Sequence, residues 1–114
     1  MTFAGKSLTK ADVARRAAIH AGPCMACIQL GIDLSGTGLV QWHHTAGKKR
    51  HDLTCGLCTW HHMARPWPDR THQFMRDEVG PSLAEGSKPF HERFGSDAEL
   101  LVRQNEWIEG RAAA

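Results

Sequence analysis

The stretch LCTWHH, Leu57 to His62, decides how this chain is read. Cys58-x-x-His61 has the spacing that places two metal ligands on the first turn of a helix. Working outward, a second pair, Cys24-x-x-Cys27, follows Gly22-Pro23, and an adjacent pair, His43-His44, lies between the two. Cys24, Cys27, Cys58 and His61 suffice to close a tetrahedron around one zinc ion with no open position. An ion held that way folds a protein rather than catalysing a reaction. Cys55 offers a competing set of Cys24, Cys27, Cys55 and Cys58, because Cys55-Gly-Leu-Cys58 is itself a Cys-x-x-Cys pair. Alternation along a strand over Leu53–Leu57 sends Cys55 to the core side with Leu53 and Leu57, which favours His61. Either set leaves His43, His44 and His62 uncommitted, more imidazole than one structural ion can use.

Composition sets the frame for these ligands. A chain of 114 residues, 41% hydrophobic and 23% charged, fits one domain of ordinary soluble make-up spanning 1–114. Within it we expect an N-terminal helix at 9–22, a zinc knuckle with a small core at 23–64, and a helical extension at 65–110. No apolar run approaches the ~20 residues that span a bilayer. The opening MTFAGKSLTKADVARRAA has no apolar core of an export signal, so the expected location is a reducing cytoplasm. There, four cysteines favour metal over disulfides. The net charge of +2 is small, but it is unevenly spread. Lys48, Lys49, Arg50, Arg65, Arg70 and Arg76 face only Asp52 and Asp69 over residues 48–76, whereas acids dominate 77–109. Positive charge thus flanks the histidine-rich segment, where a phosphate backbone would be drawn.

Local patterns order the elements as α+β. Thr9 as N-cap with Asp12 three residues on opens a helix to Ile19, which Gly22-Pro23 ends. Ile28–Leu34 and Leu39–His43 have strand character on either side of the turn Ser35–Gly38. Thr45–Asp52 is small, polar and basic, hence a loop. Leu53–Leu57 predicts a further strand, and Thr59–Ala64 starts a helix that Pro66 and Pro68 must stop. Helices are expected at Arg70–Val79 and Phe90–Phe94, the latter closed by Gly95. Ser96-Asp-Ala-Glu99 is a capping box that opens a last helix through Ile108.

Taken together, PCMAC at 23–27, QWHHTAGKKRHDLTCGLCTWHH at 41–62 and GPSLAEGSKPFHERFGSDAELL at 80–101 resemble the HNH endonucleases. Within them the closer resemblance is to the phage recombination-enhancing (Ref) family of RecA-dependent nucleases. The resemblance implies a zinc-stabilised ββα-metal (HNH) core flanked by N-terminal and C-terminal helices. It implies hydrolysis of DNA phosphodiester bonds with little sequence preference, on DNA presented by a RecA filament in phage recombination or repair. Carried over by position, His44 becomes the general base, and His43 and His62 become ligands of a catalytic Mg²⁺ or Mn²⁺, or of Zn²⁺ as bound. Asp52, near the family's middle Asn, would brace the loop or orient His44. Pro66 stands where many relatives place a third ligand, which leaves His72, His91 or water to supply it. Histidine suits the base because its ordinary pKa lies near neutrality.

Lys48, Lys49 and Arg50 stand between the expected base and Asp52, where they would contact the DNA backbone. Trp42 and Trp60, each before a His-His pair, are expected to pack the core, and Trp67 to be free to touch DNA. The competing reading is a non-catalytic zinc module that binds nucleic acid or protein, with His43 and His44 structural. A degenerate nuclease fold serving as an adaptor is a third.

Overall fold

The first helix, α1 (Lys10–Ala21), begins where the sequence expects it. Thr9 Oγ1 accepts from the Asp12 amide at 3.0 Å while the Thr9 amide donates back to Asp12 Oδ2 at 3.1 Å. A reciprocal cap of this kind contributes about 1 kcal/mol by satisfying free amides of the first turn. The computed structural model describes residues 8–113 and is α+β. After α1 come a 3-10 turn (Cys27–Leu30), strands β1 (Val40–His44) and β2 (Thr54–Cys58), and the short helix α2 (Thr59–Met63). Then follow α3 (His72–Glu78), a second 3-10 turn (Leu83–Glu85), α4 (Ser87–Phe94) and α5 (Asp97–Ala113). No helix among the described residues is long and apolar enough to cross a membrane.

The segment expected as a strand at Ile28–Leu34 is instead the curled 3-10 turn. The Ile28 amide donates to Cys24 O at 3.0 Å and the Ile32 amide to Cys27 O at 3.0 Å. These bonds wrap the chain around the Cys24–Cys27 pair, and Gly31 at φ 79° closes the wrap. Local strand propensity yields to the knuckle's own hydrogen bonds.

β1 and β2 pair antiparallel with His43 opposite Cys55, His44 opposite Thr54 and Gln41 opposite Leu57. Because side chains alternate, Gln41, His43, Cys55 and Leu57 share one face, and Trp42, His44, Thr54 and Gly56 the other. α1 covers the second face, with Arg15 Nε donating to Thr54 Oγ1 at 3.0 Å. Close approach there needs Gly56, since a Cβ on it would lie 2.8 Å from Val40 Cγ1 and 3.1 Å from Pro23 O. The Gly56 amide donates to Gln104 Oε1 at 2.8 Å, tying the sheet to α5. Two strands alone are marginal in water. Here they are buried throughout β2 and packed against Ile19, Trp60, Met75, Phe90, Phe94 and Leu100, all fully buried.

Candidate metal centres and active site

Cys24, Cys27, Cys58 and His61 are brought together by three elements: the knuckle, the end of β2 and the first turn of α2. Their ligand atoms all lie within 4.8 Å of one another, and all four residues are buried. Cys27 Sγ is 3.8 Å from Cys58 Sγ, and His61 Nδ1 is 3.4 to 3.5 Å from the sulfurs of Cys24, Cys27 and Cys58. Bonds of about 2.3 Å to sulfur and about 2.0 Å to nitrogen give tetrahedral edges of roughly 3.5 to 3.8 Å. The cluster therefore has the size of a closed zinc site, and a structural metal such as zinc fits it. Its surroundings fit as well. His61 Nε2 donates to Val79 O at 3.0 Å, which leaves Nδ1 as the ligand atom. The Cys27 amide, the His61 amide and Trp67 Nε1 donate to the sulfurs of Cys24 and Cys58 at 3.4 to 3.5 Å. Trp67, expected to be free for DNA, is thereby a support of Cys58. Burial holds the Cys24 thiol up at about 12, so a thiolate there needs a cation to share its charge. Cys55 stands apart from this set, on the sheet face of His43.

A second group gathers on that face. The His43 and His62 rings meet edge-on with centroids 5.0 Å apart. His62 Nδ1 donates to Gln41 Oε1 at 2.8 Å, so its Nε2 remains available. From α4, His91 Nδ1 donates to Gly95 O at 2.8 Å, and its Nε2 lies 3.7 Å from Asp97 Oδ1. The His43 imidazole is held down at about 4, by burial first and then by His62, with Asp97 opposing and His44 and His91 adding to the depression. The His62 pKa is also lowered, chiefly by burial. Neutral imidazoles are the form that binds metal. Among the described residues, these side chains are not gathered into a metal-sized cluster as the first four are. Of the two sequence candidates for a third ligand, His91 stands by His43, whereas His72 is exposed at the start of α3 and lies edge-on to Trp60 at 6.1 Å.

His44, at the end of β1, points to the other side of the strand. Its Nε2 is 3.0 Å from His51 Nδ1, and both rings lie against Trp42 at 4.5 and 5.0 Å. Arg16 lies over the Trp42 ring at 5.5 Å. Trp42 thus lies between two histidines and α1 but is only partly buried and outside the core, whereas Trp60 is fully buried within it. The loop that carries His51 is pinned by Thr54 Oγ1 donating to His51 O and Thr45 Oγ1 donating to Leu53 O, each at 2.8 Å. Burial first, and His51 second, lower the His44 pKa. Asp52 was expected either to brace the loop or to orient His44. The Asp52 carboxylate is instead exposed and taken by Arg50 at 2.9 and 3.1 Å. That pairing keeps its pKa low and makes His51 the neighbour that orients the imidazole. Lys48, Lys49 and Arg50 are exposed on the same loop.

Sequence reasoning did not find the pairing of His51 with His44 or of Gln41 with His62. Only the period-two alternation of β1, which puts Gln41 beside His43, was there to be read. With this geometry in place, the comparisons add one match. The family model described as recombination enhancement, RecA-dependent nuclease matches residues 9–109. Among curated proteins there is no significant match.

Proposed function

The chain belongs to the RecA-dependent nuclease family of recombination enhancement, and from that premise we propose that it is a metal-dependent DNA endonuclease of the HNH type. The observation that carries the reading is the end of β1. There His43 faces His62 at 5.0 Å, and the next residue, His44, is held by His51 on the rim of the basic loop. In this reading His43, His62 and His91 hold a divalent cation, Mg²⁺ or Mn²⁺ in turnover. That cation supplies charge to the scissile phosphate and the departing 3′ oxygen.

The protein's own groups do the rest. His44 takes the proton of the attacking water. For this, its Nε2–H donates to His51 Nδ1, and the Nδ1 lone pair is left for the water. A lowered pKa keeps His44 unprotonated at neutral pH, ready to act as base. Lys48 and Lys49, with Arg50 partly engaged by Asp52, grip the phosphate backbone and read no base edges, so sequence preference is low. Zinc in the Cys24–Cys27–Cys58–His61 cluster fixes α2 against the knuckle and so positions His62. The family description supports nucleic acid and RecA as partners, and we place the action on DNA in the cytoplasm of a bacterial or phage-infected cell.

The test is nicking of supercoiled plasmid with Mg²⁺ or Mn²⁺, with and without RecA and a homologous oligonucleotide. Wild type should nick, and His44→Ala should lose roughly 10²- to 10⁴-fold of the rate with unchanged zinc content. Equal rates in the two proteins would remove His44 as the base. No nicking by wild type under any condition would favour the non-catalytic zinc module.

A further inference from the structure

From the junction of α1, β2 and the basic loop we infer that Thr54 and Arg15 are positioning residues for the His44–His51 pair, acting through the backbone of His51. The inference rests on the nuclease reading above and adds to it the support that holds the base in place. Thr54 opens β2 directly opposite His44, so the two side chains stand on one face of the sheet. It is fully buried, and its hydroxyl accepts from Arg15 Nε at 3.0 Å and donates to His51 O at 2.8 Å. A guanidinium can only donate and a carbonyl can only accept, so the hydroxyl proton has one direction. A continuous row results. It runs from Arg15 through the Thr54 hydroxyl to the His51 carbonyl, and from the His51 ring to His44 Nε2 at 3.0 Å.

The loop needs this support. Residues 46–50 are exposed, so burial does not fix the chain that leads to His51. Thr45 closes the base of the loop, its amide and its hydroxyl both donating to Leu53 O, at 3.0 and 2.8 Å. That closure leaves the His51 carbonyl to Thr54 and the His51 ring to Trp42, stacked on it at 5.0 Å. Losing the hydroxyl frees the carbonyl to turn. The imidazole then swings with its own backbone, away from His44.

Arg15 is itself held by neutral oxygens. Its Nη2 donates to Thr54 O, and its Nη1 donates to Asn105 Oδ1 of α5 at 2.8 Å. It makes no ion pair among the described residues. The fork therefore serves geometry rather than charge neutralisation. Two of its arms grip the hydroxyl and the carbonyl of one residue, an arrangement that the point charge of a lysine does not reproduce. Because the third arm reaches α5, the packing of the last helix is felt at the loop.

The experiment measures plasmid nicking with Mn²⁺ by wild type, Thr54→Val, Thr54→Ser, Arg15→Met, His51→Ala and the double variant Thr54→Val with His51→Ala. Zinc content, circular dichroism and the nitrogen-15 signals of the His44 and His51 rings are recorded in parallel. Valine keeps the branched shape of threonine and removes the hydroxyl. Thr54→Val should retain its zinc and lower kcat roughly 10- to 100-fold with KM for DNA nearly unchanged, since a base displaced by about 1 Å works poorly. Thr54→Ser, which keeps the hydroxyl, should stay close to wild type. On top of His51→Ala, Thr54→Val should cost nothing further, because a residue that acts through another is not additive with it. Undiminished kcat in Thr54→Val, or its full loss repeated in the His51→Ala background, would overturn the assignment and leave the nuclease reading standing. Should Thr54→Val fail to fold, Arg15→Met decides. Lowered kcat with displaced His51 ring signals supports the assignment, and wild-type values overturn it. Wild type that nicks under no condition would overturn both.

Discussion

At the scale of single residues, adjacent histidines in one strand serve two different environments. His43 lies on the face of Cys55 and Leu57, and His44 on the face of Trp42 and Thr54. One has its ring against His62, and the other shares a hydrogen bond with His51. The proposed site lies at the end of β1, where the strand gives way to the loop. A pH prediction follows from His43. An unfolded histidine titrates near 6.5, whereas the folded His43 is held at about 4. Between those values the unfolded chain binds a proton that the native chain does not, so stability falls as pH drops from about 6.5 towards 4. Above 6.5 this group contributes no pH dependence. Urea midpoints at pH 7.5 and pH 5 should therefore differ more in wild type than in His43→Gln, and an equal drop in both would contradict the burial of His43.

The ligands of the closed cluster were legible because their spacing is the chemistry: Cys-x-x-Cys and Cys-x-x-His have few other uses. The preference for His61 over Cys55 followed from strand alternation and agrees with the clustered atoms. The pairing of His51 with His44 was not legible, because it arises from a contact across the loop that no periodicity encodes.

At the scale of elements, capping chemistry read well. Thr9, Ser96 and Gly95 sit at the helix ends where the sequence placed them. Strand bounds shifted by one residue, to Val40–His44 and Thr54–Cys58, since the ladder between the strands rather than propensity sets where pairing stops. The expected strand at Ile28–Leu34 was lost to the turn around Cys27. Gly56 is the point where knuckle, sheet and α5 meet, and its absent side chain is what lets them. Gly56→Ala puts a methyl 2.8 Å from Val40 Cγ1 and 3.1 Å from Pro23 O. We expect a cost of about 1 to 3 kcal/mol from overpacking, read as a lower urea midpoint with little change in slope. A neutral result would mean that the β2–knuckle contact is looser than the structure has it.

Across the whole molecule, the proposed reading divides two metal-binding tasks between two geometries. The buried cluster has its four donors converged, while the histidines of β1 and α2 are partly exposed and Lys48 and Lys49 are exposed on the following loop. A two-stranded sheet with short helices gains little from each element alone, so the closed cluster stands in for a larger core. The open group is then free to be shaped for chemistry. The most direct measurement is metal content against activity after washing the protein with a mild chelator. The account predicts that one zinc per chain survives with the fold intact, that nicking is lost, and that added Mn²⁺ restores it. Undiminished nicking by washed protein that holds a single ion, or unfolding in step with the loss of activity, would contradict the separation of a folding metal from a catalytic one.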